Sequence, residues 1–272
     1  LDAGDTFSSE LELKKWLETH ECVICGSDQI WNNNITGNGG AYFAVDCNVK
    51  KISYAASLGT TQLNETQKSN IINYLPSFSS ISVREPGSAE QLTKILHREI
   101  QVVLDPVFLL DRDEWRKLSR PVSVDSNYLF LYFLQENEKL LECAKKYAEE
   151  NGLKIYEVHP TLATRHNGCK RLENVGPKEF IWLIENASCV CTNSFHATAF
   201  STIFRKKLIH IPNSKSPERT TSLLERVGIE LKTDKEFPFY DISLCDDTNL
   251  NFEIEKSKKF LDAVMESEQY GN

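Results

Sequence analysis

Short apolar runs recur along the chain, and each ends in a polar or glycine-containing corner. The runs Cys22–Cys25, Lys51–Ala55, Ser79–Val83, Val102–Leu104, Tyr128–Leu134, Lys154–Val158, Ser188–Cys191 and Lys207–Ile211 read as buried strands, and Ala41–Val45 as one more short strand. Between them the spacing predicts helices over Ser8–His20, Asn64–Leu75, Ser88–Leu96, Glu138–Asn151, Pro177–Asn186, Phe195–Phe204, Arg219–Val227 and Asn251–Glu266. Local signals agree with these limits. Ser9 is placed to cap the first helix, Gly152 to end the helix from Glu138, and Pro177 to start the next. Phe180, Leu183 and Ile184 then fall on one helical face. Repeated strand, polar corner and helix is the α/β signature with largely parallel sheets. The polar, proline-containing stretch Ser119–Asn127 predicts a boundary between two Rossmann-like domains, 1–118 and 119–272, the second ending in a long helix. A cleft between two such domains is the expected architecture.

The corners carry the chemistry. In open α/β sheets ligands bind beyond the carboxyl ends of the strands. The segment Ala187–Ser201 combines a strand, three residues that favour helix caps (Thr192, Asn193, Ser194) and His196 in the first turn of a helix. A helix N-terminus carries partial positive charge and suits an anion. The corner after Cys25 joins a glycine, an acid, two amides and an indole (Gly26, Asp28, Gln29, Asn32, Trp31), and leads into a glycine-rich loop over Asn32–Ala41. Further corners hold Ser57 and Arg84. Asp105, before a proline, reads as a turn residue, and His159, Arg165 and His166 as a solvated polar loop.

Composition removes several classes. The 272 residues carry a net charge of −8, with no basic surplus for a nucleic-acid backbone. No apolar run is long enough to cross a membrane as a helix. The chain starts at Leu1 and its one methionine is Met265, so the native start is expected to be missing. The eight cysteines show no scaffold spacing. Cys22-x-x-Cys25 lies in a strand-like run and reads as reduced core thiols in a reducing, cytoplasmic setting. No metal-site spacing, dinucleotide or NTPase glycine loop, or nucleophile elbow is present in the sequence.

The words GSDQIWN (26–32), YAASLG (54–59), SVREPGS (82–88), VLDPVFLL (103–110) and TNSFHATAFS (192–201), in this order and spacing, resemble the polysaccharide pyruvyl transferases. The resemblance runs from about residue 22 to 230. It implies a GT-B-like fold, with the leading strand of the first domain missing from this chain. It also implies transfer of a pyruvyl group from phosphoenolpyruvate to two hydroxyls of a sugar in a surface-polysaccharide precursor, giving a cyclic ketal and phosphate without a cofactor. Some members carry an arginine two residues before the motif histidine, where this chain has Ser194.

Under that reading His196 serves as acid, base or phosphate ligand, and Asp28 as base toward a sugar hydroxyl. Gln29 and Asn32 bind the acceptor with Ser57, and Trp31 stacks on a sugar face. Arg84, Asn193 and Ser194 bind the donor, and Arg219 replaces the charge missing at Ser194. A lipid-linked acceptor would bring the protein to the inner membrane face. Two other readings stay open: a nucleotide-sugar-dependent glycosyltransferase of like architecture, and a glycan-binding protein without catalysis.

Overall fold

The computed structural model describes residues 6–44, 47–60, 62–159, 161, 164–213, 217–232 and 236–266. The chain forms two compact α/β units, one from residues 1–106 with 253–272, the other from 107–252.

In the first unit, β1 (Cys22–Cys25), β2 (Lys50–Ala56), β3 (Ser80–Val83) and β4 (Gln101–Val102) form a parallel sheet in that order. Helices α1 (Glu10–Leu17), α2 (Asn33–Thr36), α3 (Glu65–Tyr74) and α4 (Pro86–Leu96) precede or connect these strands. Ser9 caps α1 by accepting from Glu12 N, and Asn64 and Gln67 form a capping box on α3. Trp31, Phe43, Ile71, Leu75, Phe78 and Leu92 fill the core. The stretch expected as a strand at Ala41–Val45 is a 3-10 turn over Ala41–Phe43, with Val45 outside the described residues. Packing explains the difference: Phe43 turns inward to stack on Trp31 at 5.6 Å, which an extended edge strand would not allow.

The second unit starts with α5 (Arg112–Leu118) and continues with β5 (Tyr128–Tyr132), α6 (Glu138–Asn151), β6 (Lys154–Val158), β7 (Cys169–Arg171), α7 (Pro177–Asn186), β8 (Cys189–Thr192), α8 (Phe195–Ile203), β9 (Lys207–His210), α9 (Glu218–Arg226) and β10 (Phe239–Asp241). Its sheet order is β10-β9-β8-β5-β6-β7, parallel except for β10. The chain leaves β5 toward β7 on one side, then returns to β8 and runs to β10 on the other. Its direction therefore reverses between β5 and β8, the place where doubly wound sheets bind ligands. The run Tyr128–Leu131 is almost wholly buried, as expected for a central strand covered on both faces.

The division of the chain departs from the expected boundary at Ser119–Asn127. Trp115 of α5 donates to Val107 O and packs edge-on against Phe200, and Arg112 donates to Ile203 O. These contacts assign α5 to the second unit and move the division to Pro106/Val107. The long α10 (Thr248–Glu266), expected in the second domain, delivers its later turns to the first unit. There Ser257 Oγ accepts from Leu104 N at 2.8 Å and Val264 O accepts from Lys50 Nζ at 2.6 Å.

Candidate functional site

The carboxyl ends of the strands gather most of the residues singled out by sequence, and each unit does so in its own way. In the first unit Gly26 ends β1 with φ +137°, and a Cβ there would lie 2.1 Å from Tyr54 O of β2. This close approach throws the chain outward into the Ser27–Asn32 turn. Ser57 N donates to Asp28 O at 2.8 Å, and Trp31 N donates to Ser57 O at 3.3 Å, locking the turn onto the end of β2.

Arg84 follows β3 beneath this turn and is 3% exposed. Its Nε donates to Glu85 Oε1 at 2.9 Å, one terminal nitrogen to Asp105 Oδ2 at 2.8 Å and the other to Asp28 Oδ1 at 3.2 Å. Ser27 Oγ also donates to Asp105 Oδ2, at 3.0 Å. Burial works against the guanidinium charge, but Glu85, Asp105 and Asp28 outweigh it and hold Arg84 above its ordinary range. The expected anion contact from Arg84 gives way to a buried ion cluster with three carboxylates. Asp105, read as a turn residue, is the inner pillar of that cluster. Asp28 differs from its partners because its carboxylate remains half exposed.

Three other expectations in this unit change. Trp31 is 1% exposed, packed on Phe43 and Phe78, with its indole N–H on Tyr42 O; it is a core residue with no face for a sugar. Ser57 is buried and its Oγ accepts from Gly59 N at 3.1 Å. Asn32 is buried as the cap of α2, with Oδ1 accepting from Asn34 N and Nδ2 donating to Gln29 Oε1 at 2.8 Å. Gly59, at φ +64°, makes room for that amide pair: a Cβ would stand 2.1 Å from Gln29 Oε1. Gln29 keeps partial exposure beside Asp28.

In the second unit the reversal between β5 and β8 is tied by side chains. Asn193 Oδ1 accepts from Leu134 N at 2.8 Å, and its Nδ2 donates to Gln135 O at 2.6 Å. Thr192 Oγ1 donates to Tyr132 O at 2.8 Å. The expected ligand role of Asn193 is therefore replaced by a brace between the two strand ends. Ser194 is the N-cap of α8; its Oγ accepts from Ala197 N, and it is buried. Its hydroxyl serves the helix end, whose positive pole it leaves in place.

His196 occupies the first turn of α8 and is partly exposed. Arg219, at the start of α9, places its guanidinium carbon 5.5 Å from the centroid of the Phe195 ring, which itself meets the His196 ring edge-on. One structure thus joins the positive end of α8, an imidazole and an arginine.

A residue that the sequence reading passed over holds this group together. His210, at the end of β9, is fully buried. Its Nδ1 lies 3.0 Å from Thr192 O, and since a carbonyl only accepts, Nδ1 bears the proton. Nε2 then accepts from Thr220 Oγ1 at 2.7 Å. His210 therefore fixes the start of α9, beside Arg219, to the end of β8. Burial pushes its imidazole down to about 4, so the ring stays neutral.

The readings of the cysteines and histidines also meet the structure. Burial raises the Cys25 thiol to about 12, and Cys189 and Cys191 are raised as well, so these side chains are protonated packing groups. His159 and His166 are not the solvated loop expected of them: their side chains are 3% and 12% exposed and engaged with carboxylates. Among the described residues no group of metal-ligating side chains is placed to hold an ion, and no helix is long and apolar enough to cross a membrane.

A family model described as polysaccharide pyruvyl transferase matches residues 5–215. The chain belongs to this family. The match takes in the Arg84 cluster and His196 with the start of α8, ends before Arg219, and makes pyruvyl transfer the activity class. The pyruvyl transferase chain also resembles solved structures of low identity. A UDP-GlcNAc 2-epimerase from Neisseria meningitidis bound to UDP-GlcNAc superposes with TM-score 0.55 at 12% identity, covering 94% of this chain and 80% of that one. A putative UDP-N-acetylglucosamine 2-epimerase from Listeria monocytogenes gives 0.54 at 11%, covering 93% and 69%. The Methanocaldococcus jannaschii UDP-GlcNAc 2-epimerase in complex with UDP-GlcNAc and UDP gives 0.51 at 13%, covering 94% and 79%. At these identities the likeness shows the fold, two Rossmann-like units of GT-B type. No curated protein sequence matches the chain significantly.

Proposed function

We propose that this pyruvyl transferase takes its pyruvyl group from phosphoenolpyruvate and delivers it to two hydroxyls of a sugar in a polysaccharide precursor. The observation that carries this reading is the grouping of Arg219, His196 and the positive end of α8 at the carboxyl ends of β8 and β9. The donor has a carboxylate and a phosphate. An arginine held against an aromatic ring, an imidazole and a helix N-terminus are suited to bind them.

In the reaction the methylene carbon takes a proton and the neighbouring carbon accepts the first sugar hydroxyl. The bond from that carbon to the phosphate oxygen breaks, with its electron pair leaving on phosphate, and the second hydroxyl closes the ketal. Of the two hydroxyl protons released, one balances the proton added to the methylene and the other leaves with phosphate. His196 is assigned to proton transfer or to the phosphate, and Arg219 to the donor's negative charge. On the first unit Asp28 offers an exposed carboxylate to a sugar hydroxyl, held in place by Arg84. This reading puts the protein in the cytoplasm, where phosphoenolpyruvate is made; a lipid-linked acceptor would bring it to the inner membrane face.

Calorimetric titration with phosphoenolpyruvate tests the reading. Saturable binding is expected, weakened at least tenfold, about 1.4 kcal/mol, in Arg219→Ala and in His196→Ala. Binding of a nucleotide sugar with none of phosphoenolpyruvate would overturn it in favour of a glycosyltransferase.

A further inference from the structure

A second polar group lies at the ends of β5 and β6, on the other side of the loop that Asn193 braces. Its base is Glu157, fully buried near the end of β6. Glu157 Oε2 is 2.7 Å from His166 Nδ1, so a buried carboxylate fixes that ring. His166 Nε2 points the opposite way and meets Glu136 Oε1 at 3.2 Å. His159 Nε2 meets the other oxygen of the same carboxylate, Oε2, at 2.9 Å.

The donor roles follow from the partners. Thr161 N–H points to His159 Nδ1 at 3.0 Å, and a backbone N–H can only donate. Thr161 O lies 3.2 Å from the same nitrogen, while Nε2 faces a carboxylate oxygen, which accepts, so His159 donates from Nε2 toward Glu136. His166 has a carboxylate oxygen at each ring nitrogen, Glu157 Oε2 at 2.7 Å and Glu136 Oε1 at 3.2 Å. Phe133 packs against both rings, at 5.4 and 5.3 Å. Two nearly buried imidazole nitrogens thus converge on the two oxygens of one carboxylate, and that carboxylate is 46% exposed.

The surroundings favour an anion at this point. Arg171 donates to Thr164 O and His159 O and has no carboxylate partner among the described residues. Its Nε is buried without an acceptor among the described residues. The Cys169 thiol faces Glu157, and Arg165 is paired with Glu173 at 3.2 Å, away from Glu136. With Glu136 withdrawn, the two imidazole nitrogens that face it lose their acceptor, with Arg171 bound nearby at His159 O. Glu136 itself lies between β5 and α6, and among the described residues its ion contacts are with these two histidines.

We propose that His159 and His166 form a receiving fork for an oxyanion, the carboxylate or phosphate of a ligand, and that Glu136 occupies it as an internal stand-in. The fork lies two strands from the end of β8, roughly 10 Å at ordinary strand spacing. It is separate from the residues assigned to phosphoenolpyruvate.

The test titrates inorganic phosphate into the full chain while following the imidazole resonances of His159 and His166. Glu136→Ala is expected to bind phosphate at least tenfold more tightly than the unaltered chain, with both imidazole signals moving. Adding His159→Gln should abolish that gain; this position is chosen because the Glu157–His166 pair does not depend on it. Adding Arg219→Ala should leave the gain intact, which separates the fork from the donor site. Acetate moving the same signals would support a carboxylate ligand, and phosphate acting alone would support a phosphate ligand. A phosphate affinity unchanged by Glu136→Ala, or a gain that survives His159→Gln, would overturn the proposal.

Discussion

Each unit brings an arginine to the carboxyl ends of its parallel strands, and the two meet opposite surroundings. Arg84 is sealed beneath a turn among three carboxylates, so its charge is spent on the protein's own acids. Arg219 starts a helix and lies over the ring of Phe195, next to His196 and the positive pole of α8. Position at a strand end does not make an arginine an anion ligand. What it touches decides, and a cation matched by buried acids organises a site rather than receiving substrate charge.

The sharpest way to break this contrast is to remove each guanidinium and measure stability. Arg84→Met should cost about 3–5 kcal/mol in urea unfolding, because Asp105 and Glu85 would remain buried without their cation. Arg219→Ala should cost less than about 1 kcal/mol, the scale of a cation–π contact, while weakening donor binding. Equal losses in the two variants would remove the distinction.

Acid sharpens the picture of the second unit. The folded value of His210, about 4, lies below its ordinary value near 6.5, so the unfolded chain binds the proton first. Stability is then complete above about pH 6.5 and lost as pH falls toward 4, by up to about 3 kcal/mol. Urea midpoints at pH 7 and pH 4.5 should show this loss, and His210→Asn should show a smaller pH dependence. A smaller effect, about 2 kcal/mol, is expected from Asn193→Ala, which strands Leu134 N and Gln135 O near the switch point. Circular dichroism melts would measure it. The same variant should loosen the loop bearing Glu136, visible as faster amide exchange over residues 134–137.

Much of the fold was legible because buried strands and one-sided helices leave periodic traces. Tyr128–Tyr132, α6 and the β8–α8 corner fall where the apolar pattern places them. Helix α5 was missed although Asp111 and Glu114 spell its capping box, since the following residues offer little apolar periodicity. Strand β10 is short, and its place at the sheet edge depends on β9. In the site, the strand-end location of Asp28, Arg84 and His196 could be read from pattern. Their partners could not, because Asp105 reaches Arg84 only through the stacking of β3 and β4. Glu157 did carry a usable signal: an acid inside the run Lys154–Val158, read as a buried strand, requires a partner, and His166 is that partner.

The return of α10 to the first unit also sets an order in time. Leu104, Lys50 and Tyr54 wait for Ser257, Val264 and Phe260, which the ribosome adds about 150 residues after the first unit's last strand. At about 5–20 residues per second that interval is on the order of 10–30 s. Through it the second unit has all its strands, while the first still shows an uncovered flank. During synthesis the first unit, although encoded earlier, is therefore the last to be finished, and it is the half most exposed to chaperones and proteases.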